Sequence, residues 1–80
     1  MNNRLINVGF GNLVNSDKII AIVSPDAAPV KRLVQQGKQK ERVVDATAGR
    51  KTKAVLICEI DRIVLSALGP DTIRKRAADE

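Results

Sequence analysis

Apolar residues in this chain fall into short runs separated by polar or glycine-containing breaks. Residues 4–8 read as a first short strand, ended by Gly9-Phe10-Gly11, and residues 12–14 as a second strand returning after that turn. The polar stretch Asn15-Ser16-Asp17-Lys18 predicts a loop. Ile19-Ile20-Ala21-Ile22-Val23 follows, and five apolar positions in succession predict a strand buried on both faces. Ser24-Pro25-Asp26-Ala27-Ala28-Pro29 is a helix-start signal, with Asp26 as the expected N-cap and Pro29 in the first turn, where its missing N–H costs nothing. Val30, Leu33 and Val34 keep i, i+3, i+4 spacing and define a narrow apolar stripe, while Lys31, Arg32, Gln35, Gln36 and Lys38 take the other faces. Gly37 weakens the last turn, so the helix is predicted to end between Gly37 and Lys40.

Residues 43–47 and 53–58 then read as a hairpin about a basic turn, with Glu59-Ile60-Asp61 leading into a strand over residues 62–68. Gly69-Pro70-Asp71 breaks that strand and opens a terminal helix over residues 71–78. The predicted order is βββαβββα, a single α+β domain over residues 1–80.

Composition adds a constraint on stability. A chain of 80 residues makes one domain, and at that size folding buries only about 60% of the surface of the unfolded chain. Phe10 is the single aromatic, with no Trp or Tyr, so the core must come from Val, Ile, Leu and Ala. Self-association is the usual remedy for a small domain without disulfides or metal, which predicts a homo-oligomer. Cys58 lies in the apolar run Ala54-Val55-Leu56-Ile57-Cys58 and reads as a small buried hydrophobe. A lone cysteine, the absence of a signal-like apolar N-terminus and the absence of a run near 20 apolar residues predict a soluble cytoplasmic protein.

The charge of +5 is local. Lys31, Arg32, Lys38, Lys40, Arg42, Arg50, Lys51 and Lys53 are opposed between positions 31 and 53 only by Glu41 and Asp45, which favours a binding face. Within it, Asp45-Ala46-Thr47-Ala48-Gly49-Arg50-Lys51-Thr52-Lys53 puts three cations in four positions beside a glycine suited to a tight turn.

Little other chemistry is available. One Cys and no His cannot make a four-ligand zinc site, a nucleophilic triad or a Cys–His pair. A phosphate-binding loop would need Gly where Val44 stands and Lys where Arg50 stands, and the Gly9-Phe10-Gly11 start of a dinucleotide fingerprint lacks its third glycine at Val14. Asp17, Asp45, Glu59 and Asp61 have no ligand-like spacing. The sequence therefore predicts no enzyme, metal, cofactor or small-molecule substrate. Single-strand modules stack bases on aromatic side chains, and Phe10 alone supplies no platform. A basic, aromatic-poor surface fits the phosphate backbone of duplex DNA, with an acidic protein partner or a structured RNA as the alternatives.

Three blocks also carry a family resemblance. Asn7-Val8-Gly9-Phe10-Gly11-Asn12, then Ser24-Pro25 with Ala28-Pro29-Val30-Lys31-Arg32, then Asp45 to Val55 resemble the RemA family of bacterial extracellular matrix regulatory proteins. The resemblance runs in one register from residue 4 to about residue 74. It implies a double-stranded DNA-binding activator of biofilm-matrix operons that works at the nucleoid. It also implies a ring-shaped, octamer-like homo-oligomer that contacts DNA over repeated surfaces. Carried over by position, the DNA contacts fall on Lys18, Arg50 and Lys51; Asn12, Arg32 and Lys53 are secondary candidates. The family often has Arg at positions 18 and 51 and an aromatic at 48, where this chain has Lys18, Lys51 and Ala48. Lysine keeps the charge and loses the planar fork of arginine.

Overall fold

The computed structural model describes residues 5–78. A short hairpin of β1 (Leu5–Asn7) and β2 (Leu13–Asn15) comes first, and a 3-10 turn over Ser16–Lys18 leads into β3 (Ile19–Val23). Then follow α1 (Ala28–Gln39), β4 (Val43–Asp45), β5 (Ala54–Cys58), β6 (Arg62–Ser66) and α2 (Pro70–Ala78). The domain is α+β with the element order the sequence predicts; Arg4, expected in the first strand, lies outside the described residues.

Strand pairing departs from the prediction. β1 and β2 form a two-stranded antiparallel sheet, and the other four strands lie in the order β3-β5-β6-β4. β5 runs antiparallel to β3 and β6, whereas β4 runs parallel to β6. The expected hairpin of β4 and β5 therefore does not form, because β6 lies between them. A two-residue turn would hold successive strands side by side. Here residues 46–53 cross the end of β6 and span two strand spacings, roughly 10 Å. They are bonded to that end, the Ala46 N–H donating to the Leu65 carbonyl at 2.9 Å and the Lys53 N–H to the Ser66 carbonyl at 2.8 Å.

Alternation along the central strands sends side chains to both faces. Val55, Ile63 and Leu65 meet Val30 and Val34 of α1 on one face. Ala54, Leu56, Cys58 and Val64 meet Ile6, Val8 and Ile73 on the other, under the first hairpin and α2. Double coverage explains why β5 and β6 read as continuous apolar runs. β3 carries the same signature but is an edge strand, only half-buried, with Ile20 largely exposed beside a β-bulge. Cys58 is buried as expected, and burial pushes its thiol pKa up.

Two details of α1 differ from expectation. Ala27, and not Asp26, occupies the N-cap position, and no side chain caps the helix. Asp26 is engaged locally instead, its N–H donating to the Ser24 hydroxyl at 3.3 Å. Gly37, expected only to weaken the helix end, is a point of close approach: a β-carbon there would lie 2.9 Å from Val43 Cγ2 and 3.0 Å from Ile63 Cδ1. In the turn between β5 and β6, Ile60 and Asp61 take positive φ of 61° and 56°, and Ile60 is 82% exposed. A β-branched residue in that region is rare, and the conformation costs about 1–2 kcal/mol.

A candidate nucleic-acid interface

Residues 46–53 form a crossover loop with a fixed base. Thr47 is buried, and its N–H and hydroxyl both donate to Asp45 Oδ1, at 2.9 and 2.6 Å. These two bonds hold the Asp45 carboxyl below its ordinary value of 3.8, with a smaller contribution from the charge of Lys38. The Arg50 N–H closes a tight turn onto the Thr47 carbonyl at 3.0 Å, with Ala48 and Gly49 both at positive φ. Between the anchors at Thr47 and Lys53 the chain bulges outward, so Arg50, Lys51 and Lys53 are all exposed. Among the described residues the ion pairs are Lys18–Glu59 and Arg74–Asp71, so no carboxylate there neutralises the three loop cations.

A second turn meets this loop. Gly9, Phe10 and Gly11 have φ of 113°, 55° and 77°, and the Asn12 N–H closes the turn onto the Gly9 carbonyl at 3.0 Å. Two side chains brace it: the Gly9 N–H donates to Asn7 Oδ1 at 2.7 Å, and Asn12 Nδ2 donates to the Gly9 carbonyl at 2.9 Å. Ser66 fastens its base to the sheet, the hydroxyl donating to the Val8 carbonyl at 2.7 Å and accepting from the Leu68 N–H at 3.0 Å. The Arg50 guanidinium carbon stands 5.5 Å from the centre of the Phe10 ring, within cation–π range. Residues forty positions apart thus share one end of the domain.

The predicted site residues are distributed as follows. Arg50, Lys51 and Lys53 share the crossover loop. Lys18 does not join them; it lies beside Glu59 at the far end of β5, with Nζ 3.4 Å from Glu59 Oε2. Six residue steps of extended chain run from Lys53 to Glu59, or about 20 Å. Arg32, two residues after the sheet-facing Val30, projects from the side of α1 turned away from the sheet and is exposed. The amide of Asn12 is occupied in bracing its own turn. Phe10 is the residue the sequence reading left out of the site, and its placement under Arg50 depends on two turns meeting across the fold. Among the described residues no three carboxylate, cysteine or histidine side chains converge on a point that could hold a metal ion.

Residues 5–77 match the family model described as extracellular matrix regulatory protein A-like. The chain belongs to the RemA-like family. Its relatives include a protein of Lachnoclostridium phytofermentans, 60% identical over 74 residues that cover 92% of this chain and 81% of the relative. A protein of Brevibacillus brevis is 51% identical over 73 residues, covering 91% and 85%. One of Halalkalibacterium halodurans is 49% identical over 76 residues, covering 95% and 87%. All three are described as regulatory proteins, and the family is one of extracellular matrix regulation.

Proposed function

We propose that this protein is a transcriptional regulator that binds duplex DNA through the loop cations, acting as a closed homo-oligomer that repeats the contact around a ring. The observation that carries this reading is the crossover loop itself. Arg50, Lys51 and Lys53 are exposed together, on a backbone anchored at both ends, without a carboxylate partner among the described residues. Cations at that density on an anchored backbone match the phosphates of a duplex. Lys18, about 20 Å away, is a separate contact within one protomer.

The apolar surface supports self-association. Leu13, Val44 and Ile60 border a groove of about 460 Å³, and Ile20 and Leu33 border a second of about 270 Å³ on the other side of Ile60. Both grooves reach the Ile60 turn, and Arg50, Lys51 and Lys53 line neither of them. A partner copy seated against Ile60 leaves those three cations free, whereas Lys18 and Asn12 border the larger groove and stay open to DNA only where the partner stops short of them. Repetition around a ring converts modest single contacts into avidity, provided the DNA bends to meet successive loops. Recognition then rests mainly on groove width and deformability, with A·T-rich, flexible or phased sites preferred. On this reading the protein acts in the cell at the nucleoid, as an activator of matrix operons.

A gel-shift titration with an A·T-rich duplex of several helical turns, at two salt concentrations, tests the reading. Salt-sensitive binding that requires the long duplex and disappears in Arg50→Ala/Lys51→Ala, with oligomer size unchanged, supports it. Normal binding by that variant refutes the site. Failure of the parent to bind duplex, with capture of structured RNA or an acidic polypeptide, refutes the DNA reading.

A further inference from the structure

We propose that Phe10 is a positioning residue for Arg50, a ring that fixes the guanidinium so that this one loop cation meets the DNA backbone in a set direction. The inference rests on the DNA reading above and goes beyond it by dividing the labour within the loop.

Phe10 is anomalous as a structural residue. It is the only aromatic side chain in the protein, yet it is 54% exposed. It also adopts a φ of 55°, in a region that bulky side chains rarely enter. Glycines flank it on both sides, and a turn of this shape would form more readily with Asn or Gly at its centre. The turn is nevertheless held rigidly, by Asn7, Asn12 and, through Val8, Ser66. An exposed, strained and firmly braced aromatic side chain contributes little to the core. Its ring lies within cation–π range of the Arg50 guanidinium.

The contact has a chemical consequence that differs among the three cations. A guanidinium held over a ring at 5.5 Å keeps the N–H donors on its outer side free to grip phosphate oxygens. Its side-chain freedom is reduced before binding, which lessens the ordering required on contact. Lys51 and Lys53 make no such contact and remain mobile point charges. Arg50 therefore supplies direction and sensitivity to groove width, whereas the two lysines supply attraction insensitive to sequence.

Three variants decide the matter. Phe10→Asn suits the left-handed turn and removes the ring, Phe10→Trp keeps an aromatic face, and Arg50→Ala removes the positioned group. Each is measured for thermal stability, oligomer size and fluorescence-anisotropy binding to an A·T-rich and a G·C-rich duplex of equal length. Phe10→Asn is expected to melt at or above the parent temperature. Its affinity for the A·T-rich duplex is expected to fall about two- to fivefold for each engaged protomer, the range of one exposed cation–π contact, with reduced discrimination between the duplexes. Phe10→Trp is expected to bind within twofold of the parent. In the Arg50→Ala background Phe10→Asn is expected to change nothing further, since the ring acts only through that side chain. An independent readout needs no DNA: the Arg50 side-chain protons should show an upfield ring-current shift in NMR that Phe10→Asn abolishes. If the parent binds and Phe10→Asn binds equally well, or weakens the Arg50→Ala protein by the same factor, the positioning role is overturned while the DNA reading stands. A parent protein that ignores duplex DNA overturns both.

Discussion

Replacing Ser66 with Ala should destabilise the domain far more than the loss of one hydroxyl suggests. Ser66 is completely buried, and its oxygen serves two backbone groups at once, the Val8 carbonyl at 2.7 Å and the Leu68 N–H at 3.0 Å. Alanine fits the space and satisfies neither. A buried polar group left without its partner costs about 1–3 kcal/mol. Val8 is wholly buried and takes the full penalty, whereas Leu68 is half-buried and water reaches its N–H more readily. The expected total is about 2–4 kcal/mol, a large share of the roughly 4–12 kcal/mol that a domain of this size commands. At about 4–8 °C per kcal/mol the melting temperature should fall by about 8–32 °C. Urea and thermal unfolding followed by circular dichroism at several protein concentrations would separate this loss from any change in assembly. Ser24→Ala, which removes only exposed hydrogen bonds, is the control and should stay within about 0.5 kcal/mol. A Ser66→Ala protein within that same margin would show that the bridge between the Phe10 turn and the sheet does not hold the fold together.

Three further substitutions probe other parts of the account. Ile60→Asn should stabilise the protomer by about 1 kcal/mol, because Asn tolerates positive φ, while reducing oligomer size in sedimentation velocity; an unchanged oligomer would remove Ile60 from the interface. Asp45→Asn should lower the melting temperature at pH 7 and lower it less at pH 2. The carboxyl is held below 3.8 in the fold, so its contribution is present above that value and is lost as pH falls through the lower folded value. An equal effect of Asp45→Asn at both pH values would contradict this. Gly37→Ala gains about 1 kcal/mol of helix propensity, but its methyl group must displace Val43 and Ile63, which costs about 1–3 kcal/mol. The net is expected to be a loss of about 1 kcal/mol by urea denaturation, and a stabilised variant would show that α1 can lift off the sheet.

Much of the fold was legible because local signals agreed with the elements that formed. Val30 and Val34 turned α1 toward the sheet, Pro29 sat in its first turn, and the apolar runs of β5 and β6 became doubly covered central strands. Pairing was less legible. Nothing local in residues 46–53 shows that they pass over the end of β6, because the deciding bonds run to Leu65 and Ser66. β3 misled for a related reason: an apolar run has the same pattern at the edge of a sheet as at its centre. The basic loop could be found by counting charges, and Arg50, Lys51 and Lys53 do share it. Lys18 falls at the other end of the domain, a separation fixed by strand direction. Phe10 was visible only as a turn residue, since its neighbour Arg50 arrives from forty positions away.

Whether the crossover loop holds DNA is decided by the salt dependence of binding to a long A·T-rich duplex, compared between the parent and Arg50→Ala/Lys51→Ala. For duplex DNA the logarithm of affinity falls linearly with the logarithm of salt concentration, with a slope of about −0.9 for each phosphate neutralised. The parent should show a steep slope, and the double variant should lose binding at physiological salt, its residual low-salt binding having a slope smaller by about two for each engaged protomer, with oligomer size unchanged. A parent slope near zero, or the same steep slope in both proteins, would contradict the claim that this loop is where the protein holds DNA.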